Sequence, residues 1–244
     1  MLYKAERTIG GKLLSIETGH LAKQANGAVI VRCEDTIVLV TAVSDKEPRE
    51  GIDFFPLSVD YREKAYAVGK YPGGFFKRES RPTNKEILTM RLIDRPLRPL
   101  FPKNYLNEVQ IMATVLSADK DYDPDVLAMI GASAALSISN IPFSEPTGSV
   151  RVGRVDNKFI INPTNTQLNE SDLNLVVSGT ADSVLMVEAG SKEVSESDII
   201  DAIIFGFDAI KEIVQLQKEI IEKCGKEKIE VPQVEEDTTL YKAV

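Results

Sequence analysis

Residues 71–102, YPGGFFKRESRPTNKEILTMRLIDRPLRPLFP, hold the densest concentration of unusual chemistry in the chain. Pro72, Gly73 and Gly74 read as a turn able to approach a ligand closely, since neither glycine has a side chain in the way. Phe75 and Phe76 lie outside any periodic apolar pattern and are followed by Lys77, Arg78 and Arg81. Rings beside cations suit single-stranded nucleic acid: bases stack on the rings for ~1 to 3 kcal/mol each while the cations hold phosphates. The same two rings can equally be buried at a subunit or domain contact, with the cations solvated around them.

The charge distribution works outward from this segment. Residues 62–103 carry eleven Lys/Arg against four Asp/Glu, a local excess of seven, in a chain of net charge −8, which leaves −15 for the rest. A compact basic segment in an acidic protein is what a polyanion site requires, because phosphate affinity depends on local potential and not on the total. Thr83 and Glu86 form a T-x-x-E pattern, which predicts a helix starting at Asn84 and running to Asp94 or Arg95 before Pro96 stops it. Arg91, Arg95 and Arg98 share one face of that helix if its geometry lasts that far. On an otherwise apolar helix they need partners, either acids such as Asp94 at a packed interface or a phosphate.

The string GGFFKRESRPTNKEILTMRLIDRPLRPLFP resembles the first ribonuclease PH-type domain of the polynucleotide phosphorylase (polyribonucleotide nucleotidyltransferase) family, over a length far beyond a generic phosphate motif. IETGHLAKQANGAVIV, DFFPLSVDYREKAYAVGKYPGGFF, VLAMIGASAALSISNIPF and LNLVVSGTADSVLMVEAG look like the same domain in the same order. The resemblance implies an α+β fold of the ribonuclease PH type (ribosomal protein S5 domain 2-like), with mixed β-sheets packed with helices. The domain would span residues 1–225, with 226–244 a charged tail or the start of a helical linker.

What the resemblance implies for function is a ring-forming, RNA-gripping part of a phosphorolytic 3′-to-5′ exoribonuclease acting in mRNA degradation and RNA processing. The expected partners are single-stranded RNA, a second ribonuclease PH-type domain, a homotrimeric ring and RNA-degradation machinery. Phe75, Phe76, Lys77, Arg78 and Arg81 are the expected RNA contacts. In the active copy of this domain type, a glycine/serine loop before the small-residue helix cradles inorganic phosphate, and two aspartates six residues apart serve a divalent metal, Mg2+ or Mn2+. At the corresponding places this chain has Asp123-Pro124-Asp125, and Thr166 with Asp172. The resemblance therefore implies a catalytically silent copy with no catalytic residue and no metal ligand of its own. Two other readings stay open: a self-sufficient phosphorolytic exoribonuclease, and a purely structural ring subunit.

Composition sets the remaining bounds. At 244 residues, 43% hydrophobic and 27% charged, the chain can bury a sizeable core. It has no apolar run of membrane-spanning length, and MLYKAERTIGG lacks the apolar segment of a signal peptide, so a cytoplasmic location without membrane contact is expected. Cys33 and Cys224 are far apart and outside any metal spacing, as two reduced, inert thiols would be. His20 is the only histidine, so multi-histidine metal sites are excluded and any His-based nucleophile relay would have to use it; a structural role is expected.

Periodicity completes the outline. Strands are expected at residues 12–17, 28–32, 36–43 and 54–59, with a hairpin at Cys33-Glu34-Asp35, then a long loop over 62–76. After a strand at 108–116, Asp123 as N-cap and Pro124 at the first helical position open a helix over 125–139 rich in small residues, suited to close packing on a sheet. Strands at 148–155, 159–161, 173–178 and 183–189 follow. A long amphipathic helix capped by Ser195 then runs to Gly225. Four strands before the first helix argue for a sheet that helices later cover, not for an alternating βαβ order.

Overall fold

A computed structural model describes residues 1–73, 79 and 81–231. The first half opens with β1 (Tyr3–Ile9), β2 (Lys12–Thr18), β3 (Gly27–Cys33), β4 (Thr36–Ser44) and β5 (Leu57–Glu63). Next come α1 (Asn84–Leu97), β6 (Val109–Ser117) and α2 (Asp125–Ile138). The second half holds β7 (Gly148–Val155), β8 (Lys158–Ile161), α3 (Asn165–Glu170), β9 (Leu173–Gly179), β10 (Val184–Ser191) and α4 (Glu196–Cys224). Two sheets form, in the orders β1-β2-β3-β4-β6-β5 and β10-β9-β7-β8. All pairs are antiparallel except β5 with β6.

Helix α2 is the centre of the core. All fourteen of its residues are buried, and it packs on β3, β4 and β6 of one sheet, β7 of the other, and α4. The small residues are what admit it: a Cβ added at Gly131 would stand 2.5 Å from Val40 Cγ2 and 3.1 Å from Val31 Cγ2. A buried polar network joins the halves. Gln217 of α4 donates to Thr147 O at 2.7 Å and accepts from Ser133 Oγ of α2 at 2.8 Å, and the Thr147 N–H donates to the same Ser133 Oγ at 2.7 Å. Every member is satisfied, which is the condition for such a network to be tolerated in a core.

Several expectations are corrected. Strand β1 was not anticipated, because YKAERTI buries only Ala5 and Ile9 and spends Arg7 on Glu212 and Glu219 of α4, so no run of branched apolar residues marks it. The fourth expected strand sits three residues later, at β5: Phe55 joins an aromatic cluster with Phe101 and Tyr105, and fully buried Tyr61 belongs to the strand instead. Within the expected loop, Ala65–Val68 forms a 3-10 turn. Pro96 does not stop α1, whose Arg98 N–H still bonds Asp94 O; a proline φ is itself helical, and here it removes only one donor close to the helix end. Helix α3 was missed although Thr164 and Gln167 form a complete capping box.

Beyond α4, residues 226–231 lie against the C-terminal end of α2. Lys226 N–H bonds Ile138 O and Ile229 N–H bonds Asn140 O. Lys228 Nζ donates to Leu136 O, Ser137 O and Ser139 O at 2.8 to 2.9 Å, supplying a cation to the carbonyls at the end of the helix. Among the described residues no helix is long and apolar enough to cross a membrane.

Candidate nucleic-acid interface

The basic segment is held at its base by one buried carboxylate. Glu86, 6% exposed, accepts from Thr83 N–H at 2.6 Å and from Glu63 N–H at 2.9 Å, while its own N–H donates to Thr83 Oγ1. The predicted capping box therefore also ties the end of β5 to the start of α1. Burial pushes the Glu86 carboxyl up, but the N–H donors outweigh it and leave the group below the usual range. Phe75, Phe76, Lys77 and Arg78 lie outside the described residues. Arg81 is exposed at a bend just before the cap of α1.

The three α1 arginines separate. Arg98 bonds Asp94 through two nitrogens, at 3.0 and 2.6 Å, and the carbonyls of Phe55 and Leu57. Arg95 reaches across to Glu188 of β10 at 3.0 Å. Arg91 is exposed and has no partner among the described residues.

At the N-terminus of α2, the residue at the cap position is Pro124, with no side-chain cap bond, and not Asp123 as expected. Asp123 turns instead to Lys85 at 2.7 Å, and Lys85 also holds Glu63 at 2.9 Å, which accepts from the buried Tyr61 hydroxyl at 2.6 Å. Asp125 is 4% exposed; one oxygen accepts from Val126 N–H at 2.6 Å, and the other is in ion contact with Arg151 of β7. Burial pushes its carboxyl above the ordinary range, against the pull of the Arg151 guanidinium. The N–H groups and dipole of a helix N-terminus attract an anion, and here a side chain of the protein supplies it. A cavity of about 290 Å3 adjoins this corner, lined by Glu63, Lys64, Lys85, Tyr122, Asp123 and Asn165.

Asp172, which the sequence reading set against the metal aspartates of an active copy, is also engaged. Asp172 takes Nε and Nη2 of Arg154 on its two oxygens, and Arg154 Nη1 reaches Asp198 at the start of α4 at 2.9 Å. The Arg154 hydrogen bonds hold the Asp172 carboxyl below the usual range. Among the described residues no group of three His, Cys, Asp or Glu side chains is placed to hold a metal ion. Thr166 lies on α3. His20 is exposed, not part of the core. Cys33 and Cys224 are free, half-buried thiols pushed up by burial. Arg151, Arg154, Lys85 and the role of Asp125 escaped the sequence reading. The signal was the pair of arginines inside the apolar strand GSVRVGRV, where each cation demands a partner.

Two sheets around a buried central helix, with both charged positions filled from within, define a class already represented among known proteins. Residues 10–142 match the model of the 3′ exoribonuclease family, domain 1, and residues 145–209 that of the same family's domain 2. The chain belongs to the 3′ exoribonuclease (ribonuclease PH) family and has its fold. It is similar to the polyribonucleotide nucleotidyltransferases of Heliobacterium modesticaldum (59% identity over 236 residues, 97% of this chain and 33% of that protein) and Geobacter sulfurreducens (56% over 238 residues, 98% and 34%). It thus spans about a third of the length of the curated relatives it matches. The crystal structure of rice (Oryza sativa) Rrp46 superposes with a TM-score of 0.67, covering 91% of this chain and 94% of that one at 14% identity. That near-complete overlap makes both halves together one copy of the fold.

Proposed function

We propose that this chain is the N-terminal ribonuclease PH-type unit of a polyribonucleotide nucleotidyltransferase, building a ring and gripping single-stranded RNA for an active site that a second copy of the fold supplies. Residues 1–225 form the unit and 226–244 begin the linker to the rest. The whole enzyme degrades RNA 3′ to 5′, with inorganic phosphate attacking the terminal linkage and a nucleoside diphosphate leaving; Mg2+ or Mn2+ serves that second copy. A homotrimeric ring, a cytoplasmic location and contact with RNA-degradation machinery belong to the same reading. Phe75 and Phe76 stack bases, while Lys77, Arg78 and Arg81 hold phosphates, with Arg91 as a further candidate.

The observation that carries the silence of this copy is Asp125: a buried carboxylate paired with Arg151 already occupies the α2 N-terminus, where a phosphate would have to bind. Incubating the 244-residue chain with poly(A), phosphate and magnesium tests it. No ADP above a buffer control is expected, whereas the chain binds labelled poly(A) weakly, without sequence preference and steeply dependent on salt. Release of ADP by the chain alone overturns the silent assignment.

A further inference from the structure

Near its start α4 is apolar almost all round: residues 199–207, IIDAIIFGF, carry a single polar side chain, Asp201. A helix of that composition is ordinarily enclosed on every side. Here one side is enclosed. Ala202 and Gly206 are buried, and a Cβ added at Gly206 would stand 3.0 Å from Val152 Cγ2 of β7. On the opposite side Ile200 and Ile204, one turn apart, are 56% and 57% exposed. Of the acids beside them, Asp208 holds Lys211 at 3.0 Å, while Asp201 is exposed and without an ion partner among the described residues. Exposed apolar side chains grouped in this way and rimmed by charge mark a contact surface. Helix α1 repeats the pattern with the charge reversed. It buries Thr89, Leu92 and Ile93 and turns Ile87 and Leu88 outward, 43% and 54% exposed, beside the exposed Arg91. Since α1 packs on β5 and α2, and α4 on β1, β7 and β9, the two faces are distinct surfaces of the unit.

We propose that these faces are the two sides of one contact between copies of the fold: the Ile200 and Ile204 face of α4 receives Ile87 and Leu88 of a neighbouring copy's α1, with Arg91 set against Asp201. This rests on the ring-building reading above and names the surfaces that would build the ring. Charge selects the pairing, because α4 against α4 sets acid against acid and α1 against α1 sets cation against cation. Two unlike faces make a head-to-tail contact, the kind whose repetition closes into a ring. The chain spans about a third of the length of its curated relatives, which leaves room for a second copy in the same polypeptide. Arg91 is thereby given an acid, one of the two kinds of partner that its place on the helix leaves open.

Sedimentation velocity on the 244-residue chain over a range of concentrations at low salt tests this, with thermal melts confirming that each variant is folded. The parent chain is expected to self-associate. Leu88→Glu spoils the α1 face and Ile204→Glu the α4 face, and each alone should weaken association about tenfold or more. Mixed together, the two variants still hold one intact face of each kind, so they should form a complex that stops at one to one. Arg91→Glu and Asp201→Arg should each weaken association, and both changes in one chain should restore part of the loss. A Leu88→Glu chain that self-associates like the parent overturns the proposal, since a contact of α4 with α4 does not need α1. A mixture no better than its components, or a charge exchange that restores nothing, also overturns it. In those cases the association of the parent chain, and the ring reading with it, stands. A parent chain that is monomeric at every concentration sinks the ring-building reading for this chain and the docking together.

Discussion

Replacing Arg151 by Met should destabilise the chain by about 3 to 5 kcal/mol at neutral pH, the cost of leaving one member of a buried ion pair without its partner. Asp125 would keep the Val126 N–H at 2.6 Å and the attraction of Lys85, which places the expected loss toward the lower end, about 3 kcal/mol. Two companions sharpen the test. In Arg151→Met/Asp125→Asn the uncompensated charge is gone, so the double variant should recover at least half of the loss. In the single variant, Asp125 without its cation has a folded-state pKa raised further above its unfolded value. The stability gained by protonation is then fully present below the unfolded pKa and lost as pH rises through the folded one, so the deficit should shrink on acidification. Urea unfolding at neutral and mildly acidic pH measures all three. A single variant that loses under about 1 kcal/mol, or a double variant no better than the single, would show that Asp125 is not a charge held in place by Arg151.

Two further outcomes check the fold around the site. Gly131→Ala gains about 1 kcal/mol of helix propensity but drives a methyl to 2.5 Å from Val40 Cγ2; overpacking of about 1 to 3 kcal/mol wins, so the melting temperature should fall, and a rise would mean that α2 does not sit this close to β4. Glu86 has a depressed folded pKa, so its contribution is present above the unfolded value of about 4.3 and is lost as pH falls through the folded one. Glu86→Gln should therefore flatten the acid limb of stability against pH while costing about 1 to 2 kcal/mol at neutral pH, and an acid limb identical to that of the parent chain would refute the role given to its N–H donors.

What was legible in the sequence was mostly local. Thr83 with Glu86, Ser195 with Asp198, and the run of Ala and Gly in α2 act over a few residues, and each element lies where its own signal placed it. Charged pairs closed over long separations were not legible. Arg151 meets Asp125 across 26 residues and Arg154 meets Asp172 across 18, and only the placement of β7 beside β9 and the α2 N-terminus decides which acid each arginine finds. The same limit explains Asp123: as an N-cap it satisfies a local rule, but the cation of Lys85, supplied from α1, outweighs it. Strand β1 was hidden because its solvent side is charged and only two of its residues are buried.

The bonds from residues 226–231 to the end of α2 give that helix a mechanical position as well as a structural one. A pull on the chain at Val231 is borne first by Lys226, Lys228 and Ile229, and through them by the carbonyls that close α2, not by the last turn of α4. At its opposite end the same rigid rod is moored to β7 through Asp125 and Arg151. Force applied at Val231 is thus delivered toward the axis of the core, the most deeply buried element of the unit.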